Sequence, residues 1–278
     1  MDRKGCLGMA VVMTSPLWIV AGVMGVTAYR ENTQKQSVLT PAHRAFFTAA
    51  RKGDVAGIRS GLAQGVDVNA HEPAAGRTAL MRAAAFDRTE AVKALLASRA
   101  DPNAVDDDRR TALHLAARSG AVGVIPLLAA AGASRDAFFP DVGGERTAVG
   151  QAVRAGKVEA VRALLAAGAD PDRAGPRVES PIEDAIFARR PDIVQALIEG
   201  KARLTPSSAA EPALLHLAIS SCAEGAAEIV RLLVEAGADT RARDAKGHTP
   251  LEAVKSLDPR SVDTECFAPL REALESAR

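Results

Sequence analysis

Two kinds of short apolar segment alternate along the chain from residue 44 to the C-terminus. One kind is rich in alanine, as at residues 112–117, and suits a helix that lies close to its neighbours. The other carries larger aliphatic side chains at helical spacing, such as Val161, Leu164 and Leu165. Because glycines separate the two kinds and polar stretches separate the pairs, the pattern predicts helix-turn-helix units. We call the polar loops that join successive units fingers.

The units recur at a nearly constant interval. Copies begin near positions 44, 78, 111, 147, 180, 213 and 249, so that successive starts lie 34, 33, 36, 33, 33 and 36 residues apart. A fixed period near 33 is typical of a helical solenoid, in which each unit buries its apolar faces against its neighbours. The first half is clearest as RTALHLAA at residues 110–117, and the second half as VRALLAAGAD at residues 161–170.

These two segments resemble the ankyrin repeat, and the resemblance covers nearly everything after the first 41 residues. It implies an all-α ankyrin-repeat solenoid of about seven helix-turn-helix units, preceded here by an apolar N-terminal helix. In that family the fingers and the first helices form a concave surface that binds another protein. We therefore expect a protein–protein interaction scaffold with no enzymatic activity and no cofactor.

The ends of the stack need residues that cover their apolar faces. Inside each unit, a threonine such as Thr111 is expected to cap the first helix, and a glycine such as Gly132 to end the second. We expect Phe46 and Phe47 to close the front of the stack. A final helix is expected to close the back with the apolar residues Phe267, Leu270 and Leu274.

A long apolar stretch at residues 5–28 follows Arg3 and Lys4. The basic start and the small residues around Ala28 are typical of a cleaved signal peptide, whereas the length also suits a retained membrane anchor. Either interpretation exports the rest of the chain, to the periplasm or to the periplasmic side of the inner membrane. We expect a signal peptide or anchor at 1–29, a polar linker at 30–41 and the ankyrin-repeat domain at 42–278.

The overall charge bears on the choice of partner. The net charge is +1, and the chain after residue 28 is neutral. A nucleic-acid partner requires a basic face that neutralises phosphates. Neutrality therefore argues against nucleic acid, and contact with a membrane is expected only through residues 5–28.

The spacing of the repeats changes at a few places, and these are the candidates for features specific to this protein. The finger before residue 147 is long and carries Phe138 and Phe139, two of only seven phenylalanines. We expect at least one of them to be exposed as an anchor for a partner. The turns of the last two units carry insertions with Cys222 and Cys266, and an exported compartment permits a disulfide between them.

The predicted contact residues all lie in fingers, with acidic residues favouring the earlier fingers and basic residues the later ones. Such an arrangement would orient a partner along the groove. The predicted partner-binding residues are Asp106, Asp107, Arg109, Phe138, Phe139, Asp141, Arg173, Arg177, Arg241, Arg243 and Lys246.

The sequence contains no recognisable set of catalytic or metal-binding residues. His114 and His216 stand at the motif's own histidine position, where the side chain is expected to support the turn. The run of aspartates at 106–108 lacks the spacing of a calcium loop and is interpreted as a solvated charged tip. Within protein binding, an immunity-type inhibitor and an accessory factor of an envelope enzyme both stay open. An enzyme on a solenoid frame would need titratable residues clustered in one groove.

Overall fold

The computed structural model describes residues 39–141, 144–175, 179–205, 213–220, 225–256 and 264–276. The predicted signal peptide, anchor or apolar helix at 1–29 lies outside these residues, as does the linker up to residue 38. Within the described residues, no helix is both long enough and apolar enough to cross a membrane.

Fourteen helices in the described residues form seven consecutive pairs, which confirms the predicted solenoid of helix-turn-helix units. The pairs are α1 (Pro41–Lys52) with α2 (Val55–Ala63), α3 (Ala79–Ala85) with α4 (Thr89–Ala97), α5 (Ala112–Ser119) with α6 (Ile125–Ala130), α7 (Ala148–Arg154) with α8 (Val158–Ala166), α9 (Pro181–Phe187) with α10 (Pro191–Glu199), α11 (Leu214–Ser220) with α12 (Ala226–Glu235), and α13 (Pro250–Ser256) with α14 (Thr264–Glu275).

The first helix of each unit packs against the first helix of the next, from α1 through to α13. Alanines make this close approach possible, and Ala83, Ala116 and Ala152 are all fully buried. The second helices form another row and contribute the larger aliphatic residues, such as Leu95 and Leu164, which are also fully buried. Because each unit is too small to have its own core, the stability of the fold comes from this stacking.

At Thr78 and Thr147 the first helix begins with the hydroxyl cap that the repeated threonine predicts, whereas at Thr111 the backbone amide donates to the His114 ring instead. The Thr78 hydroxyl accepts the amide of Met81 at 3.3 Å, and the Thr147 hydroxyl accepts that of Gly150 at the same distance. Each bond satisfies one of the backbone N–H groups that a helix leaves without an internal partner. The short first helices therefore begin at positions that the sequence marks.

Both ends of the stack are closed as expected where the structure describes them. Phe46 and Phe47 are buried in α1, with their ring centroids 5.8 Å apart in an edge-to-face arrangement. At the back, Leu270 and Leu274 of α14 are buried, while Arg271 and Glu275 pair on the exposed side at 2.8 Å. The side chain of Phe267, the third residue predicted to close the back, lies outside the description.

The finger between α6 and α7 contains a short antiparallel hairpin that the sequence did not predict. Its strands are β1 (Phe139–Asp141) and β2 (Gly144–Arg146), with Phe139 opposite Arg146. We refer to residues 131–147 as the third finger and to residues 98–111, between α4 and α5, as the second finger. The paired strands give the described part of the third finger main-chain hydrogen bonds of its own.

A ladder of side-chain hydrogen bonds joins successive fingers. The amide of Asp101 donates to the Asn69 side chain at 2.8 Å, and the amide of Ser134 donates to the Asn103 side chain at 2.7 Å. The Asn103 side chain also donates to the Gly132 carbonyl at 3.0 Å. Each bond crosses from one unit to the next, so the ladder fixes the spacing of the fingers.

Candidate protein-binding groove

An open groove of about 890 Å³ lies where the second and third fingers meet helices α5 and α7. The second finger and α5 belong to one unit, and the third finger and α7 to the next, so the groove spans two neighbouring units. It is lined by Asp107, Asp108, Arg109, Arg110, Arg118, Phe139, Pro140, Gln151, Arg154 and Ala155. Four arginines and two aspartates give this lining a net charge of +2.

Asp106 does not face the groove, because its side chain is 0% exposed. Its carboxylate accepts the backbone amides of Asp108 and Arg110 at 3.1 and 2.8 Å and the Arg110 guanidinium at 2.9 Å. The expectation that Asp106 forms part of a solvated tip was therefore wrong. Its role is to hold the second finger in shape, because an ionised carboxylate is buried only when such partners surround it.

Some of the other charged side chains of the second finger form ion pairs, and others do not. Arg110 also forms an ion pair with Asp108, so its charge is balanced from two sides. Arg109 is exposed, and so is Arg118 at the end of α5. Within the described part of the chain, neither of these two guanidinium groups has an ion pair or a side-chain hydrogen bond. The positive charge that the groove offers to solvent is therefore carried in particular by Arg109 and Arg118.

Phe139 is 4% exposed and packs against His114, with ring centroids 4.8 Å apart. The contact fastens the third finger to α5 and thereby forms the floor of the groove. Phe139 was predicted as a possible anchor for a partner, but its ring lies inside the stack. Successive side chains of a strand point to opposite faces, and the Phe139 side chain lies on the face of β1 that packs against the stack.

Phe138 comes immediately before strand β1 and is partly exposed. The Arg173 guanidinium, from the following finger, sits 4.9 Å from the centre of its ring. Two residues predicted independently as contact residues are thus brought together across a unit boundary. A cation over an aromatic face is held weakly at exposed sites, by about 0.5–1 kcal/mol, so the pair stays available to a partner.

His114 supports the fold as predicted and has a marked electrostatic character. The Thr111 amide donates to Nδ1 at 3.1 Å, so Nε2 carries the hydrogen and donates to the Ala137 carbonyl at 2.9 Å. Burial lowers the pKa of His114 from its usual 6.5 to about 4, against the opposing effect of the Ala137 bond. The neutral ring therefore joins α5 to the third finger. His216 makes the equivalent bond to the His248 carbonyl at 2.9 Å.

The predicted contact residues all lie in fingers and therefore do not include the first-helix residues of the groove, Arg118, Gln151 and Arg154. Arg118, Arg154 and Phe187 stand at one repeated position, seven residues after the Thr or Ser that begins each unit. Gln151 stands four residues after Thr147. Arg118, Gln151 and Arg154 line the groove, whereas Phe187 is exposed in the next unit, beyond the lining. The available signal was that large or charged residues replace the small or apolar ones expected in such a helix.

The other predicted contact residues lie away from this groove or beyond the description. Arg241, Arg243 and Lys246 are exposed on the last finger, where Arg243 donates to the Gly247 carbonyl at 2.5 Å. Arg177 and Cys222 lie outside the described residues, and so do the side chains of Asp141 and Cys266. The predicted disulfide and these two contacts stay predictions.

A metal site does not emerge from the parts of the chain that the structure describes. No group of three or more His, Cys, Asp or Glu side chains there is placed to hold an ion. The oxygens of Asp106 are occupied by partners within the second finger.

Family models for ankyrin repeats match the chain twice, as three copies at residues 46–138 and as one repeat at residues 214–245. The chain carries ankyrin repeats. The ankyrin repeat domain of human ASB11 has a similar structure, with a TM-score of 0.63 and 26% sequence identity, covering 86% of this chain and 98% of that domain. The ankyrin fold is thereby confirmed over nearly the whole described stack.

Two curated relatives match shorter segments. The Neurogenic locus Notch protein of Drosophila melanogaster is 45% identical over 67 residues, which is 24% of this chain and 2% of that protein. Inversin of Gallus gallus is 40% identical over 82 residues, 30% of this chain and 7% of that protein. The chain thus spans only a small part of either relative. Ankyrin repeats imply a scaffold for protein–protein interaction, and domains of this kind are generally not enzymes.

Proposed function

We propose that this protein binds a partner protein in the groove between the second and third fingers, using the fingers together with the first helices. The observation that carries the proposal is the unpaired state of Arg109 and Arg118 in the groove lining, with the partly exposed Phe138 next in sequence to the lining residue Phe139. Arginine and aromatic side chains are the types that dominate binding energy at protein interfaces. The buried contacts of Asp106 and Phe139 hold this surface rigid, which lowers the entropic cost of binding.

We also propose that the ankyrin stack works outside the cytoplasm, in the cell envelope. The support for this is the basic start at Arg3 and Lys4 and the apolar residues 5–28. Cleavage at Ala28 would release the stack into the periplasm, and retention would tether it to the inner membrane. The mass of the mature protein purified from cells distinguishes these two forms.

The effect on the partner's activity distinguishes an immunity-type inhibitor from an accessory factor of an envelope enzyme. An immunity-type inhibitor must block its target's active site, whereas an accessory factor must leave that site open. The catalytic activity of a captured envelope enzyme, measured with and without the ankyrin protein, therefore falls in the first case and is maintained or raised in the second.

The test of binding is a pull-down from envelope extract with the full chain as bait. We expect Phe138→Ala to reduce capture of the specific partner about tenfold, since a well-packed aromatic anchor is worth more than 1 kcal/mol. Phe86→Ala is the matched control, because Phe86 is 47% exposed and lies outside the fingers and the groove. Equal capture by wild type and Phe138→Ala would count against binding at the third finger, provided that both proteins melt cooperatively.

A further inference from the structure

We infer that the groove receives an extended, acidic segment of the partner, whose carboxylates bind Arg109 and Arg118 and which continues beyond the groove lining to place an apolar side chain on Phe187. This inference rests on the proposed binding function and names the kind of chain that the groove fits. It uses charge, an unsatisfied polar group and an exposed aromatic ring that lie along three successive units.

Charge complementarity is the first argument. The chain as a whole has a net charge of +1, whereas the groove alone carries +2. Asp108 pairs with Arg110, and Asp107 is the one other carboxylate of the lining, so the two aspartates do not balance its four arginines. Arg109 and Arg118 thus present two guanidinium groups whose planar forks match carboxylates in a bidentate arrangement. Aspartate and glutamate side chains of a partner supply that chemistry.

The backbone of Arg109 is the second argument. Its φ of +63° places it in the left-handed region, two residues before the threonine that begins the unit. Glycine occupies the same finger position at Gly76 and Gly247, with φ of +61° and +83°. An arginine pays conformational strain there that a glycine avoids. The second finger therefore presents a cation where the repeat favours glycine.

Gln151 lies between Arg118 and Phe187 in the order of the units. Its side chain is 9% exposed and lines the groove, while its carboxamide oxygen is itself buried and has no hydrogen-bond partner in the described part of the chain. Rotation of the carboxamide exchanges its two ends and turns the oxygen towards a donor that enters the groove. Main-chain N–H groups of an extended segment are such donors, whereas those inside a helix are already bonded.

Phe187 supplies the apolar end of the proposed site. It is 59% exposed and stands at the repeated position of Arg118, two units further along. Neighbouring helices pack about 8–10 Å apart, so two steps span roughly 16–20 Å. An extended chain covers about 3.3 Å per residue, which separates the acidic and apolar residues of the partner by on the order of five or six positions.

The experiment uses fluorescence anisotropy of the full-length protein with the labelled peptide Glu-Glu-Ser-Gly-Ser-Gly-Leu-Leu. We expect Arg109→Gly and Arg118→Ala each to weaken binding roughly tenfold, and replacement of both peptide glutamates by glutamine to weaken it at least as much. Because Arg109→Gly relieves backbone strain, its melting temperature should be equal to or above that of wild type. Loss of binding by this variant is therefore not loss of folding.

Arg99→Gly is the matched control. Arg99 is exposed, has a φ of +65° and lies at the start of the second finger outside the groove lining, so the substitution removes a like charge and a like backbone strain away from the proposed contacts. We expect it to leave peptide binding unchanged. The inference is overturned if wild type does not bind the glutamate peptide, if the glutamine peptide binds equally, or if Arg109→Gly binds as wild type does.

Two further outcomes distinguish this inference from a general polyanion site and from a scaffold that binds its partner without Arg109. Single-stranded DNA that displaces the peptide more effectively than unlabelled peptide would overturn it, because the groove would then be a general polyanion site. A partner captured from envelope extract equally by wild type and Arg109→Gly would also overturn it while leaving the scaffold function in place. The proposed function itself fails only if no partner depends on the groove.

Discussion

His114 illustrates how a single side chain links local sequence to the binding surface. It accepts a bond from the start of its own unit and donates one to the Ala137 carbonyl in the third finger. Only the neutral ring makes both bonds, because protonation would remove the acceptor at Nδ1. The shape of the groove floor therefore depends on the protonation state of this residue.

The pH dependence of stability should reveal this coupling. The unfolded chain protonates His114 near pH 6.5 and the folded chain only near about 4, so the unfolded state binds more protons between these values. The stabilisation is fully present above pH 6.5 and is lost as the pH falls towards 4. Between pH 7 and pH 5, urea titrations should show wild type losing about 2 kcal/mol more than His114→Gln.

The comparison with His114→Gln controls for the other titratable groups, because these are the same in both proteins. Parallel losses of unfolding free energy in wild type and His114→Gln would show that His114 is not buried in its neutral form.

At the scale of elements, the fingers are held by one another as well as by the helices. Asn103 is the clearest link, because its side chain bonds to the Ser134 amide and to the Gly132 carbonyl in the next finger. Asn69 makes a single bond of this kind, to the Asp101 amide. The groove lies beside this ladder, so the ladder determines how the second and third fingers face each other.

Asn103→Ala should lower the free energy of unfolding by about 1–2 kcal/mol, and Asn69→Ala by about 1 kcal/mol, since the first breaks two bonds and the second breaks one. Gln64→Ala is the control, because Gln64 bonds only to Ser60 within α2 and its immediate end. Chemical denaturation measures all three. Equal effects at Asn103 and Gln64 would contradict a structural role for the ladder.

The whole molecule is a row of units in which each one stabilises its neighbours. Its two ends differ from the middle because each end unit has a neighbour on one side only. The front is closed by Phe46, and the back by Leu270, both fully buried. A groove located at the third and fourth units is therefore supported from both sides.

Leu270→Ala should unfold the last unit selectively, because α14 packs on α12 and α13 alone among the described elements with substantial contact. Replacing a fully buried leucine by alanine lowers the free energy of unfolding by about 2–5 kcal/mol, which is enough to open an end unit. Hydrogen exchange should accelerate in α13 and α14 and stay near wild-type rates in α7 and α8. Leu164→Ala, at an equally buried central site, should accelerate exchange in the middle of the stack; acceleration spread evenly in the Leu270 variant would contradict this.

The sequence by itself determined the period, the number of units, the caps of the helices and the side chains that close the two ends. These features depend on contacts within one unit or on a pattern repeated seven times, so they are visible along the chain. The tertiary structure decided which polar and aromatic residues face the groove. Asp106 and Phe139 turned inward because finger and hairpin geometry enclosed them, whereas Arg118 and Gln151 came to line the groove from α5 and α7. Such exposure depends on what the next unit covers, and that is a property of the stack.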